Sequence, residues 1–247
     1  MIFPGLCSVT FRKLTPQQII DLVVQAGLQA IEWGGDVHVS HGDVETARRV
    51  RDLTQSAGLK ISSYGSYYRA GGVDVSFADA LRSAEALGTK TIRVWAGSMG
   101  SEEAGQEIFS TVVADLKKTS AIAADHGMSL ALEFHDGTLT DSNEAALRLL
   151  EAVPEVSIIW QPKTRFEVVY RREGLKKLLP RLSNLHVFQW EPDFGRLPLA
   201  NGKGEWTEYL ALAKTLPGDR FALLEFVVDD SPEVFLKDAA SLLSLLS

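Results

Sequence analysis

One pattern constrains this chain more than any other. A short apolar segment followed by a helical stretch recurs about every 25 to 35 residues from end to end. Residues 5–9 predict a first strand, and Thr15-Pro16 opens a helix carrying Ile19, Ile20, Val23 and Val24, with a hydroxyl at the N-cap and proline in the first turn. Residues 30–33, 59–63, 91–95, 128–134, 156–160, 185–189 and 221–227 predict seven more strands. Between them lie helical stretches at 43–57, 74–87 and 101–126, from Ser142 onward, at 172–179 and 206–215, and after Ser231-Pro232-Glu233. Gly27, Gly58, Gly88 and Gly127 supply the stops.

Apolar strands alternating with helices demand a parallel sheet covered by helices. Eight such units in 247 residues, with no linker or low-complexity stretch, predict a closed (β/α)8 TIM barrel formed as a single domain over residues 1–247. An open doubly wound sheet is disfavoured, because the first βα turn has no Gly-x-Gly-x-x-Gly phosphate loop.

Charge and composition narrow the partners. The formal net charge of −7 offers no basic field for nucleic acid or an anionic membrane. No apolar run approaches the roughly 20 residues of a membrane span, and the N-terminal residues lack the pattern of a secretory leader. The single cysteine, Cys7, cannot form an internal disulfide and reads as a small buried side chain. The expectation is a cytoplasmic protein that acts on a small molecule, with homo-oligomerisation left open.

In a barrel of this kind the chemistry sits at the C-terminal strand ends. Four residues there are costly for a core: Glu133 in Leu-Ala-Leu-Glu-Phe-His, Gln161 after Ile-Ile-Trp, His186 in Asn-Leu-His-Val-Phe and Glu225 in Ala-Leu-Leu-Glu-Phe. A carboxylate inside an apolar strand must be paired, hydrogen-bonded or bound to metal. Singly, each residue has an ordinary explanation, a rim salt bridge or a hydrogen-bonded core histidine. Four of them on consecutive strands point to a shared metal site.

The order of these segments, with the Ile-Glu-Trp of the second strand and the Arg-Val-Trp-Ala-Gly of the fourth, resembles the sugar isomerase/epimerase family of xylose isomerase-like barrels. The likeness runs over nearly the whole chain. It implies one divalent metal ion held by Glu133, Gln161, His186 and Glu225. One departure stands out: Gln161 occupies a position where the family usually has Asp, often followed a few residues later by His. An amide oxygen still ligates a hard cation but brings no charge. Oxygen donors with one imidazole suit Mn2+ or Mg2+, with Co2+ or Zn2+ as alternatives.

The resemblance also implies proton transfer at a carbon next to a carbonyl, through a metal-stabilised enediolate, with Glu133 and Glu225 as acid and base. A base on each face gives epimerisation, one base shuttling between carbons gives isomerisation, and a β-leaving group diverts the same enolate into elimination. A lyase or dehydratase on a keto sugar or keto-inositol is therefore the first alternative, and a non-catalytic sugar-binding barrel the second. An endonuclease-like phosphodiesterase fits an acidic chain with only 5 histidines poorly.

Trp33, Trp95, Trp160 and Trp190 fall at predicted strand ends and suggest aromatic walls for a sugar. Glu32 is a candidate for a sugar hydroxyl or for a neighbouring Lys or Arg. His38 and His135 are loop candidates for substrate contact, and Arg196 for an anionic group. His126 suits a helix C-terminus. Asp229, Asp230 and Glu233 crowd the start of the last helix, where such barrels often hold phosphate, so a non-phosphorylated substrate is expected.

Overall fold

The computed structural model describes residues Met1–Ser247. Eight parallel strands close on themselves: β1 (Ile2–Cys7), β2 (Ala30–Gly34), β3 (Lys60–Arg69), β4 (Thr91–Trp95), β5 (Ser129–Glu133), β6 (Ser157–Trp160), β7 (Leu182–Val187) and β8 (Arg220–Leu224). Closure is made by β1 pairing with β8, from Ile2 opposite Arg220 to Leu6 opposite Leu224. Helices follow the strands: α1 (Pro16–Gln25), α2 (Val44–Ser56), α3 (Phe77–Leu87), α4 (Gln106–Asp125), α5 (Asn143–Ala152), α6 (Val168–Leu178), α7 (Lys203–Lys214) and α8 (Pro232–Leu246). The protein is thus one closed (β/α)8 barrel, as the recurrence predicted.

The helix starts are where local chemistry puts them. Thr15 accepts from the Gln18 N–H while Gln18 reaches back to Thr15, a reciprocal capping box. Ser76, Ser142 and Ser231 cap α3, α5 and α8 by accepting a single N–H with the side chain, without the reciprocal contact, each satisfying a donor left free in the first turn. At the other end of α3, Gly88 takes φ +78°, a left-handed turn that closes the helix.

Strand ends shift by a few residues from the expected positions. β1 begins at Ile2 instead of residue 5, and β8 stops at Leu224, leaving Glu225 just beyond it with its N–H donated to the Val187 carbonyl. β3 runs on to Arg69 through a polar, aromatic stretch that carries no apolar signal. A bulge at Ser62 lets Ser63 pair with Glu32 on β2.

A contiguous cluster of 55 buried apolar side chains joins strands to helices, while Cys7, Val9 and Leu223 form a small separate one. Above that small cluster the barrel's interior turns polar. A two-stranded ribbon, Gln189–Trp190 with Arg196–Leu197, extends the loop after β7. No helix is long and apolar enough to cross a membrane.

Candidate functional site

Side chains alternate along a strand, so every second residue points into the barrel. Register sets Cys7 beside Glu32 and Glu32 beside Ser63. Arg93, on β4, reaches two carboxylates: its Nε lies 2.9 Å from Glu32 Oε1, and its Nη1 pairs with Glu133 Oε2. The same Glu133 oxygen accepts from Trp95 Nε1. Ser63 Oγ donates to Glu32 Oε2 at 2.6 Å. All of this is buried, with Glu32, Arg93 and Glu133 each 2% exposed. The wall carries Gly65 here because a Cβ would meet Arg93 Nη2 at 2.5 Å.

His186, on β7, stands at the centre. Its Nε2 lies 3.5 Å from Glu32 Oε2, and its Nδ1 lies 3.6 Å from Glu133 Oε1 and 3.4 Å from Glu225 Oε2. Nδ1 is buried and makes no hydrogen bond. Glu225 accepts no side-chain hydrogen bond comparable with the two that hold Glu133. The two carboxylates are therefore unlike: Glu133 is clamped through Oε2, while Glu225 faces the cavity unclamped.

These surroundings set the charges. Burial alone would raise Glu32, but Arg93 and then His186 pull it down to about 2. Burial likewise works against ionised Glu225, and His186 and Arg93 overcome it, so its carboxyl is held below the usual range. Burial pushes the Cys7 thiol up to about 12, leaving a neutral, inert side chain. Burial works against charged His186, but the neighbouring Cys7 and then the Glu225 and Glu32 carboxylates raise it well above its ordinary value.

A cavity of about 220 Å³ opens over this cluster. Glu133, Gln161 and Glu225 line its floor, Phe188, Trp190, Phe194 and Phe226 one wall, and His135, Asp136, Lys163 and Arg165 the rest of the mouth. Gln161 donates its Nε2 to the Phe134 carbonyl at 2.9 Å, so its side-chain oxygen is the group left to offer. Lys163 is 4% exposed, and burial lowers its ammonium to about 8 even with Asp136 beside it. His135 stacks on Trp95 at 4.7 Å and donates Nδ1–H to the Asp136 carbonyl at 2.6 Å. Burial, then Lys163, lower its pKa. Phe194 and Phe226 hold φ of 70° and 52° around this mouth, left-handed values that a bulky residue keeps only where its surroundings enforce them.

The donor set fits a divalent cation. Oxygens of Glu133 and Glu225 and a nitrogen of His186 all lie within 4.8 Å of one another, and the unpartnered Nδ1 faces both carboxylates. Three buried carboxylates, Glu32, Glu133 and Glu225, stand against one guanidinium. With a neutral imidazole, two negative charges are left, which one divalent cation balances.

Of the residues singled out in the sequence, Glu133, Gln161 and Glu225 come together at the floor, with His186 fully buried against the two glutamates. Trp190 lines the cavity, stacked on Phe188 at 4.3 Å. Trp95 stands behind Glu133 as a clamp, and Glu32 lies beneath, bound to Arg93 instead of facing substrate. Others among the expected substrate residues lie away from the cavity lining. Trp33 points outward and is fully buried, its Nε1 donating to Thr54 of α2 at 3.2 Å, because inward-facing Glu32 forces its neighbour to the other face. His38 is spent on structure: Nε2 donates to the Leu14 carbonyl at 3.2 Å and Nδ1 accepts from Ser8 Oγ at 2.9 Å. Trp160 also turns outward, against Trp206 and Tyr209 of α7. Arg196 sits outside the cavity lining, paired with Asp230 and stacked over Phe226 at 5.0 Å.

Sequence reasoning missed Arg93, Ser63, Lys163 and Arg165 as parts of the site. Arg93 carried a usable signal, a charge between Ile92 and Val94 in an apolar strand.

Comparison with known proteins agrees with this architecture. The sequence profile described as xylose isomerase-like TIM barrel matches residues 20–243. A 3-dehydroshikimate dehydratase from Bacillus anthracis is 24% identical, with 93% of this chain and 92% of that protein covered. The crystal structure of a probable 3-DHS dehydratase involved in petrobactin synthesis, also from Bacillus anthracis, superposes with a TM-score of 0.82 at 21% identity, covering 98% and 99% of the two chains. An L-ribulose 3-epimerase structure gives a TM-score of 0.71 at 15% identity, with 99% and 94% covered.

Proposed function

Because this chain belongs to the xylose isomerase-like TIM barrel family, we propose that it removes a proton from the carbon next to a carbonyl of a small hydroxylated ketone and completes the reaction by expelling a β-hydroxyl as water. Glu133, Gln161, His186 and Glu225 hold a divalent cation in this reading, Mn2+ or Mg2+ by the hardness of the donors. When bound, the cation supplies Lewis-acid polarisation of the substrate's oxygens.

The inequality of the two carboxylates carries the choice of elimination. Glu225 faces the cavity without a clamp and takes the proton; the C–H electron pair moves into the enolate. The β-hydroxyl then leaves with the proton returned to it, so one C–H and one C–O bond break, a C=C bond forms, and the atoms lost are those of water. Glu133 is held by Arg93 and Trp95 through one oxygen. Both glutamates are ligands in this reading, but the clamp on Oε2 leaves Glu133 without the free oxygen that the second base of an epimerase needs, while Glu225 keeps one for the proton. This replaces the symmetric acid–base pair expected from the sequence. The dehydratase relative is consistent with it. The aromatic wall of Phe188, Trp190 and Phe226 packs against the substrate's C–H face and keeps water from the enolate.

The test is incubation with Mn2+ in D2O of a panel that includes 3-dehydroshikimate and L-ribulose, followed by NMR and mass spectrometry. Loss of water from a panel member, abolished in Glu225→Gln, supports the reading. Exchange of the α-hydrogen that returns an epimer without loss of water would establish two-base chemistry instead, and no exchange with any member would sink both.

A further inference from the structure

Behind the floor, the imidazole of His186 has a second nitrogen that the proposed chemistry leaves without a task. Nδ1 faces Glu133 and Glu225 at 3.6 and 3.4 Å, while Nε2 faces Glu32 Oε2 at 3.5 Å. A neutral imidazole carries one N–H, so a cation on Nδ1 puts that proton on Nε2, where it needs an acceptor. Cys7 Sγ also lies within 4.8 Å of the Glu32 and His186 donor atoms. Its thiol stays neutral, pushed up to about 12 by burial, and is a weak acceptor beside a carboxylate.

Both oxygens of Glu32 are fixed in place. Arg93 Nε holds Oε1 at 2.9 Å, and Ser63 Oγ donates to Oε2 at 2.6 Å. The second contact depends on the bulge in β3: Ile61 pairs with Ile31, and Ser63 then pairs with Glu32. In a regular ladder Ser62 would stand opposite Glu32, and Ser63 would point to the other face of the sheet. The guanidinium that holds Glu32 also pairs with Glu133. One buried cation thus fixes one proposed ligand directly and, through Glu32, reaches a second.

We propose, on the reading that the floor holds a divalent cation, that Glu32 is a positioning residue for that site: it accepts the Nε2–H of His186 and so presents Nδ1 to Glu133, Glu225 and the cation. Glu32 touches neither cation nor substrate. A carboxylate behind a ligating histidine sets the orientation of the ring and raises its basicity. That added basicity offsets part of what the uncharged Gln161 fails to supply.

Mn2+ affinity is measured calorimetrically on the wild type, Glu32→Gln and Ser63→Ala. Loss of the outer partner of a ligating histidine weakens metal binding by roughly 10- to 100-fold, and Glu32→Gln is expected in that range. Ser63→Ala leaves every charge in place and frees only Oε2, so it should lose affinity in the same direction and by less. The readout that a merely structural role would not move is 15N NMR of histidine-labelled protein saturated with diamagnetic Mg2+. Wild-type His186 should carry its proton on Nε2 and bind the cation through Nδ1, with the Nε2–H resonance moving upfield in Glu32→Gln. An affinity within about twofold of wild type in Glu32→Gln, a loss there with no movement of that resonance, or a wild-type proton on Nδ1 overturns the role of Glu32 and leaves the cation site standing. No Mn2+ bound by the wild type overturns both together. If circular dichroism shows that Glu32→Gln does not fold, the same measurements on Ser63→Ala decide the matter.

Discussion

Replacing Arg93 by Met removes the one cation that Glu32 and Glu133 share while keeping much of the buried side-chain volume. Burial by itself raises the Glu32 carboxyl; Arg93, and then His186, hold it down to about 2 against an ordinary 4.5. At about 1.4 kcal/mol per pH unit, that difference is worth about 3 kcal/mol. It falls at the lower end of the roughly 3–5 kcal/mol lost when one partner of a buried pair is removed. The sign is distinctive. A depressed carboxyl contributes stability that is fully present above its unfolded pKa and is lost as pH falls from about 4.5 towards 2. In Arg93→Met the uncompensated burial raises Glu32 instead, so the variant suffers most near neutrality and recovers ground as acid protonates the group. Urea denaturation of both proteins with a chelator present, at pH 7 and pH 4.5, reads this directly. The variant should be less stable by about 3 kcal/mol at pH 7, with a smaller gap at pH 4.5. A gap under about 1 kcal/mol at pH 7, or one that does not narrow in acid, would refute the view of Arg93 as the charge that makes this interior tolerable.

Gly65→Ala places a Cβ 2.5 Å from Arg93 Nη2, so thermal melts should show an overpacking loss of about 1–3 kcal/mol together with weaker Mn2+ binding. An unchanged melting temperature would mean that the guanidinium is looser than its contacts imply. Trp33→Phe and His38→Ala alter residues that pack away from the cavity; each should cost on the order of 2 kcal/mol in stability and leave kcat/KM within about twofold. A tenfold fall in kcat/KM with little loss of stability would return either residue to the substrate.

The eight βα units were legible because a two-layer α/β barrel repeats its burial pattern at each unit, and hydroxyl N-caps at Thr15, Ser142 and Ser231 are local signals that tertiary context did not override. The convergence of Glu133, His186 and Glu225 followed from strand-end position alone, since closing the barrel brings consecutive strand ends together. Trp33 was misplaced although the answer lay in its neighbour: one inward carboxylate at Glu32 fixes the next side chain outward. Gly34 gives a similar lesson, because its backbone N–H binds Ser8 Oγ, the same hydroxyl that captures His38. That pairing joins segments 26 to 30 residues apart, which no local pattern records. The unequal roles of Glu133 and Glu225 depend on Arg93 and Trp95 reaching across to one carboxylate and not the other, a matter of distance. Lys163 is set by the path of the loop after β6, where the sequence shows a charged run and not which way it faces.

The claim on which the rest depends is that Glu133, Gln161, His186 and Glu225 form one cation site despite the uncharged amide. Metal content after incubation with Mn2+ and desalting, measured on the wild type and on His186→Ala, tests it most directly. About one Mn2+ per chain in the wild type and none in His186→Ala is the predicted result. No metal in either protein, or an equal amount in both, would contradict it.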